Sequence, residues 1–125
     1  MRISVEEYKK MLKKPHKYNA KATIVDGIRF DSKAEAKRYR ELKLLKQAGE
    51  IKDFILQPKF VLIPAEKGPD GKTRRAVHYV ADFLVTYPDG KREVEDVKGM
   101  ITPVYRLKKR LFEHKFGMTI KENRK

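Results

Sequence analysis

Tyr87-Pro88-Asp89-Gly90 is the stretch that most constrains what this chain can fold into. Proline at the second position sets φ for a type I turn. The glycine supplies the left-handed residue that closes a three-residue hairpin loop with a G1 bulge. Such a loop dictates the register of the segments it joins, YVADFLVTY and KREVEDVKG. Tyr87 then pairs with Lys91, Asp82 falls opposite Asp96, and Val80 falls opposite Lys98. Side chains alternate across a sheet, so residues 80, 82, 84, 94, 96 and 98 share one face. Two carboxylates directly opposite one another, about 5 Å apart, repel unless they share a proton or a cation. The chain has 3 histidines and no cysteine. A hard divalent ion that takes oxygen ligands, such as Mg²⁺, therefore suits the pair. Lys98 would stand beside it, placed to hold a phosphate oxygen or to lower the pKa of an attacking water. The competing reading is an ordinary solvent-facing strand edge. Val80 and Leu84, flanking Asp82 on its own face, argue against open solvent. A slip of one residue would separate the two aspartates onto opposite faces.

The rest of the chain supplies a frame for this hairpin. Ser4-x-x-Glu7 opens a short helix over roughly 5–13, which Pro15 stops. Six lysines and no acid run from Lys9 to Lys21. Residues 1–17 thus read as a basic helix and arm, and 18–122 as the core of a single domain within residues 1–125. Asp26-Gly27, between short β-type runs, predicts a two-residue hairpin. Ser32-x-x-Glu35 is a second capping box, opening a helix to about Ala48 with Gly49 as its stop. On that helix Glu35, Tyr39 and Leu42 form one stripe, with Ala34 and Leu45 at its side and Leu44 beyond it. Glu35 therefore lies on the face expected to pack inward, where a plain capping glutamate has no need to be.

Phe54–Ile63 reads as a strand with Pro58 at an edge or bulge. A turn-rich loop follows over 64–75, then strands over 76–87 and 91–98. Thr102-Pro103 is N-cap and first helical residue of a helix to about Lys115, stopped by Gly117. Its apolar stripe is expected at Val104, Leu107 and Leu111. A short strand over 118–122 completes the order helix, three strands, helix, strand. The fold class expected is α/β, with a mixed, mainly antiparallel sheet flanked by helices.

Charge narrows the partners. Lys and Arg number 31 against 17 Asp and Glu, a net charge of +14. Solubility asks a small domain for only about 2–8, so a polyanion is the expected partner, and nucleic acid comes first. The arginines and lysines of the loop (Lys67, Lys72, Arg74, Arg75) and of the last helix (Arg106, Lys108, Lys109) are placed to follow DNA phosphates. No apolar run approaches a membrane span, no amphipathic anchor carries the aromatics a membrane surface needs, and no signal-peptide pattern opens the chain. With no cysteine there is no disulfide and no thiolate chemistry. The expectation is an intracellular protein without a membrane partner. His16, His78 and His114 lack metal-ligand spacing, although His78 can approach the aspartates. Ser4 and Ser32 are helix caps.

The series Ser32-x-x-Glu35, Gln57-Pro58-Lys59-Phe60, Tyr79-Val80-Ala81-Asp82-Phe83 and Glu95-Asp96-Val97-Lys98-Gly99 resembles the PD-(D/E)XK nuclease superfamily. The αβββαβ order is similar to the restriction-endonuclease-like core of that superfamily. More narrowly, the series looks like a phage-encoded nuclease-like family, and at a distance like the TnsA-type transposon endonuclease. The resemblance covers about residues 18–120; Ala81 stands where the superfamily's name expects proline. It implies a Mg²⁺- or Mn²⁺-dependent endodeoxyribonuclease of phage DNA processing or recombination in the bacterial host cytoplasm, with a junction, a nick, a flap or a short duplex site as the alternative targets. It further implies Asp82 and Asp96 as metal ligands, with the Val97 carbonyl completing the shell. Glu35 would reach the metal directly or through water, Lys98 would orient the nucleophilic water, and Gln57 would stand nearby. A small single-site domain would pair as a homodimer to cut both strands at once, whereas a monomer would suit nicking. The alternatives are a DNA-binding protein of the same fold without turnover, and a phage structural component that contacts packaged DNA through its charge.

Overall fold

The computed structural model describes residues 22–124, so the helix and basic arm expected over 1–17 lie outside the described residues. The chain's contacts divide it into two compact units, one ending at Glu41 and the other beginning at Leu42, with the boundary inside a helix.

In the first unit, strands β1 (Thr23–Val25) and β2 (Ile28–Phe30) pair antiparallel around Asp26-Gly27. Both turn residues have positive φ, 54° and 76°, as a type I′ turn demands. Helix α1 (Lys33–Gln47) then begins. The Ser32 hydroxyl accepts from the Glu35 backbone N–H at 3.1 Å, one half of the capping box. Tyr39 packs its ring 5.0 Å from that of Phe30 and donates its hydroxyl to Asp26 at 3.0 Å, tying helix to hairpin. Ala36 and Tyr39 are buried and Glu35 is half-buried.

In the second unit α1 continues with a buried Leu42 and an exposed Leu44, and stops before left-handed Gly49. The expected strand over 54–63 is instead two strands, β3 (Asp53–Leu56) and β4 (Lys59–Ile63). The loop over 64–75 contains a small antiparallel ribbon, β5 (Glu66–Lys67) with β6 (Thr73–Arg74). The expected strand over 76–87 also divides, into β7 (Val77–Val80) and β8 (Phe83–Thr86). Strand β9 (Arg92–Lys98), helix α2 (Pro103–Phe116) and strand β10 (Ile120–Arg124) follow. The main sheet has the order β10-β9-β8-β3, and only the β10–β9 pair is parallel. The architecture is mixed α/β, as expected.

The two divided strands break at the same level. Leu56 pairs with Phe83 in the main sheet, and Lys59 pairs with Val80 in a separate β4–β7 ladder. The register runs unbroken between them, leaving Gln57 opposite Asp82 and Pro58 opposite Ala81. Gln57 N–H donates to the Asp82 carbonyl at 2.9 Å, and Ala81 N–H to the Pro58 carbonyl at 3.1 Å. The cause is local. Pro58 has no N–H to give a ladder, and Gln57 takes φ +49°, a conformation non-glycine residues seldom adopt. One continuous ribbon is thereby bent, and its β4–β7 limb packs against α2.

Two expectations are corrected, the first by the bend and the second by the packing of α2. Val80 pairs with Lys59, not Lys98, and is 51% exposed. Helix α2 buries Tyr105 and Phe112, while Val104 and Leu107 of the expected apolar stripe are 63% and 60% exposed. Its ends match expectation: Thr102 Oγ1 accepts from Tyr105 N–H at 3.1 Å, and Gly117 closes the helix with φ +66°. Beneath α2, Leu62, Tyr79, Ala81, Leu84, Val94, Tyr105, Phe112 and Ile120 form the core. Among the described residues no helix is long and apolar enough to cross a membrane.

Candidate active site

The hairpin register is observed. Tyr87 N–H donates to the Lys91 carbonyl at 2.8 Å, and the pairs Thr86↔Arg92 through Phe83↔Glu95 follow. At the open end of this ladder Asp82 leaves the strand. Its backbone N–H still donates to the Glu95 carbonyl at 3.2 Å, while its Oδ2 accepts the Val97 N–H at 2.7 Å. One carboxylate thus caps the end of the β8–β9 pairing and is pinned beside the residue that follows Asp96.

Asp96 is 3% exposed. Its Oδ2 accepts the Tyr79 hydroxyl at 2.5 Å and lies 3.2 Å from Lys98 Nζ. The same ammonium sits 4.0 Å from the centre of the Tyr105 ring. Lys98 is therefore held between a buried carboxylate and an aromatic face, two attractions that strengthen in a partly dry site. Leu84 and Val94, which share strand parity with Asp82 and Asp96, both lie in the core under α2.

Both aspartates bear on one phenol. Burial raises the Tyr79 pKa most, followed by the hydrogen bond to Asp96 and the charges of Asp96, Tyr105 and Asp82. The Tyr105 phenol is likewise raised, by burial first and then by Glu122. Its hydroxyl is buried and finds no partner of good hydrogen-bond geometry among the described residues. The sign is set by the direction of the shift: a phenol whose folded pKa exceeds about 10 adds stability below that pH, lost as pH climbs toward the folded value. In EDTA, the tyrosinate absorbance of these two residues should therefore appear together with loss of helical circular dichroism. Ionisation of all 6 tyrosines ahead of unfolding would contradict this placement.

Glu35 stands half-buried in the first turn of α1, within the first unit. Gln57, exposed and left-handed, is directly opposite Asp82. His78 is half-buried and shares a cavity wall with Lys98 and Lys108. Of the residues expected to follow DNA, Lys67, Lys72, Arg74, Arg75 and Arg106 are exposed. Lys109 is half-buried and spends its charge on Glu122 at 3.4 Å. Among the described residues no three His, Asp or Glu side chains gather closely enough to hold a metal. Asp82, Asp96 and the Val97 carbonyl nevertheless supply the kind of donor a Mg²⁺ ion takes. Such an ion keeps several waters and needs one or two carboxylates from the protein, with substrate phosphates completing its shell.

One family model matches the chain, DUF1064, described as a protein of unknown function, over residues 15–123. The chain belongs to the DUF1064 family. No curated protein and no solved structure matches it significantly.

Sequence reasoning missed Tyr79, Tyr105 and Glu95 in this DUF1064 domain. Glu95 is fully buried on β9, with its Oε1 accepting from Asn123 Nδ2 at 2.8 Å across the parallel ladder. Strand alternation alone puts Tyr79 on the face opposite Asp82. Only the bend at Gln57-Pro58 and Ala81-Asp82 returns it to Asp96.

Proposed function

We propose that this protein is a metal-dependent DNA endonuclease of the PD-(D/E)XK type. One observation carries the proposal: at the end of the β8–β9 ladder Asp82 is pinned to the Val97 N–H, while the adjacent Asp96 holds the Tyr79 hydroxyl and the Lys98 ammonium, the latter at 3.2 Å. The order α1, β3, β8, β9, α2, β10 and the net charge of +14 support it. A divalent ion, when bound by Asp82, Asp96 and the Val97 carbonyl, would neutralise phosphate charge and make water acidic enough to attack. Lys98 would orient that water or hold a non-bridging phosphate oxygen. Asp96 and the Tyr105 ring keep the ammonium in place, and Tyr79 fixes the Asp96 carboxylate. Hydrolysis forms the bond from water oxygen to phosphorus and breaks the bond from phosphorus to the sugar oxygen, which leaves with a proton. Exposed arginines and lysines would bind the backbone, so affinity should fall steeply with salt.

A DNA-binding protein of this fold without turnover is the second reading. It is favoured by the way Tyr79 and Lys98 both engage Asp96 Oδ2 while no third acidic or histidine ligand gathers among the described residues. Supercoiled and branched DNA incubated with Mg²⁺, Mn²⁺ or EDTA separates the two. Cutting with either metal and none in EDTA is the expected result; retention of DNA without cutting in every condition would leave the binder.

A further inference from the structure

Beside Lys98 the second unit carries a cavity of about 510 Å³. Four different elements deliver a nitrogen side chain to its wall: Lys59 from β4, His78 from β7, Lys98 from β9 and Lys108 from α2. Among the described residues no carboxylate lines it. Thr102, the N-cap of α2, is also on the wall, so the positive end of a 14-residue helix opens there. The remaining wall is made by Tyr79, Tyr105, Val80 and Val104, the two valines more than half exposed. Convergent cations beside bare apolar surface suit a ligand that is anionic at one end and apolar at the other.

We propose that this cavity receives a single unpaired nucleotide of a DNA strand. Its phosphate would lie on Lys59, Lys98, Lys108 and His78, and its base against Val80 and Val104. The substrate would then be DNA with an unpaired nucleotide next to the cut, such as a flap, a branch or a splayed end. A stacked base pair keeps its base faces covered by its neighbours. A cavity sized for one small molecule admits what has left the stack. Affinity for such a strand combines backbone charge with contacts to the base face, and the second part is absent for duplex. Lys98 belongs at once to this wall and to the contact with Asp96, which places the unpaired nucleotide directly beside the bond to be cut. The substrate assignment rests on the nuclease reading; binding to the cavity does not.

The test is fluorescence anisotropy in EDTA, using a labelled oligothymidylate and a labelled blunt hairpin duplex with the same number of phosphates. Lys59→Ala, Lys108→Ala and Val104→Glu are compared with Lys91→Ala, which removes one charge at the β8–β9 turn. The cavity variants should weaken single-strand binding about five- to tenfold and duplex binding less than twofold. Lys91→Ala should change both by less than twofold. Equal losses for single strand and duplex, or losses no larger than those of Lys91→Ala, would overturn the proposal. Failure of the nuclease reading would show separately, as no metal-dependent cutting by a protein that still prefers the single strand.

Discussion

If the proposed nuclease reading holds, Asp96→Asn should leave the protein folded and able to bind DNA while cleavage falls by on the order of a hundred- to a thousandfold, the scale expected when preorganised charge is removed from a reacting centre. Asparagine keeps an oxygen where the Tyr79 hydroxyl needs an acceptor, so the hydrogen bond seen at 2.5 Å has a successor. What disappears is the charge that would hold a cation and the counter-charge of Lys98. Asp96→Ala is the harsher change. It strands the Tyr79 hydroxyl in a buried position, at a cost of about 1–3 kcal/mol, and confounds stability with activity. Either variant removes one negative charge from a protein of net +14, so DNA affinity should hold or rise. The readout pairs cleavage of supercoiled DNA with a binding isotherm. Asp96→Asn cutting at the wild-type rate in Mg²⁺ would remove Asp96 from the chemistry, and binding lost along with cutting would point to a folding defect.

The second large effect is expected at Phe112. Its side chain is completely buried under α2, with ring centres of Phe60, Tyr79 and Phe116 at 4.9, 5.7 and 5.0 Å. Phe112→Ala should cost about 3–5 kcal/mol, the sum of lost burial and an unfilled cavity. That is a large part of the 5–15 kcal/mol that holds a typical domain together. Urea denaturation measures it, and Phe112→Leu, which keeps more of the volume, should lose clearly less. Because Tyr79 packs on Phe112 and also holds Asp96, any folded fraction of Phe112→Ala should cut more slowly than its concentration explains. A loss below about 1 kcal/mol would mean that this ring is not the centre of the core.

Short-range chemistry was the part legible in the sequence. Proline and glycine around Asp89 announced the turn and, through it, the pairing of β8 with β9. Ser32 and Thr102 announced two helix starts, and Gly49 and Gly117 two stops. The bend was not legible, because strand periodicity carries no information about a backbone that turns left-handed at a single glutamine. Pro58 signalled an irregularity without saying that Ala81-Asp82, across the ladder, would share it. The buried face of α2 was misjudged for another reason. Val104, Tyr105, Leu107, Leu111, Phe112 and Phe116 together cover much of the helix circumference, so spacing alone offered two faces. The aromatic rings, which bury more area per residue, took the core. Tyr79 and Tyr105 were overlooked as neighbours of Asp96 and Lys98 because the first depends on the bend and the second on that choice of face.

The parallel ladder between β9 and β10 has a consequence for biosynthesis. Antiparallel neighbours joined by a tight turn can zip as soon as both have left the ribosome, whereas a parallel partner must wait for the intervening crossover helix. Until Ile120–Arg124 emerges, β9 has an open edge and the Glu95 carboxylate lacks its Asn123 donor. A nascent chain therefore cannot complete this sheet before Ile120–Arg124 has been made, and until then the acidic strand β9 stays unpaired along one edge.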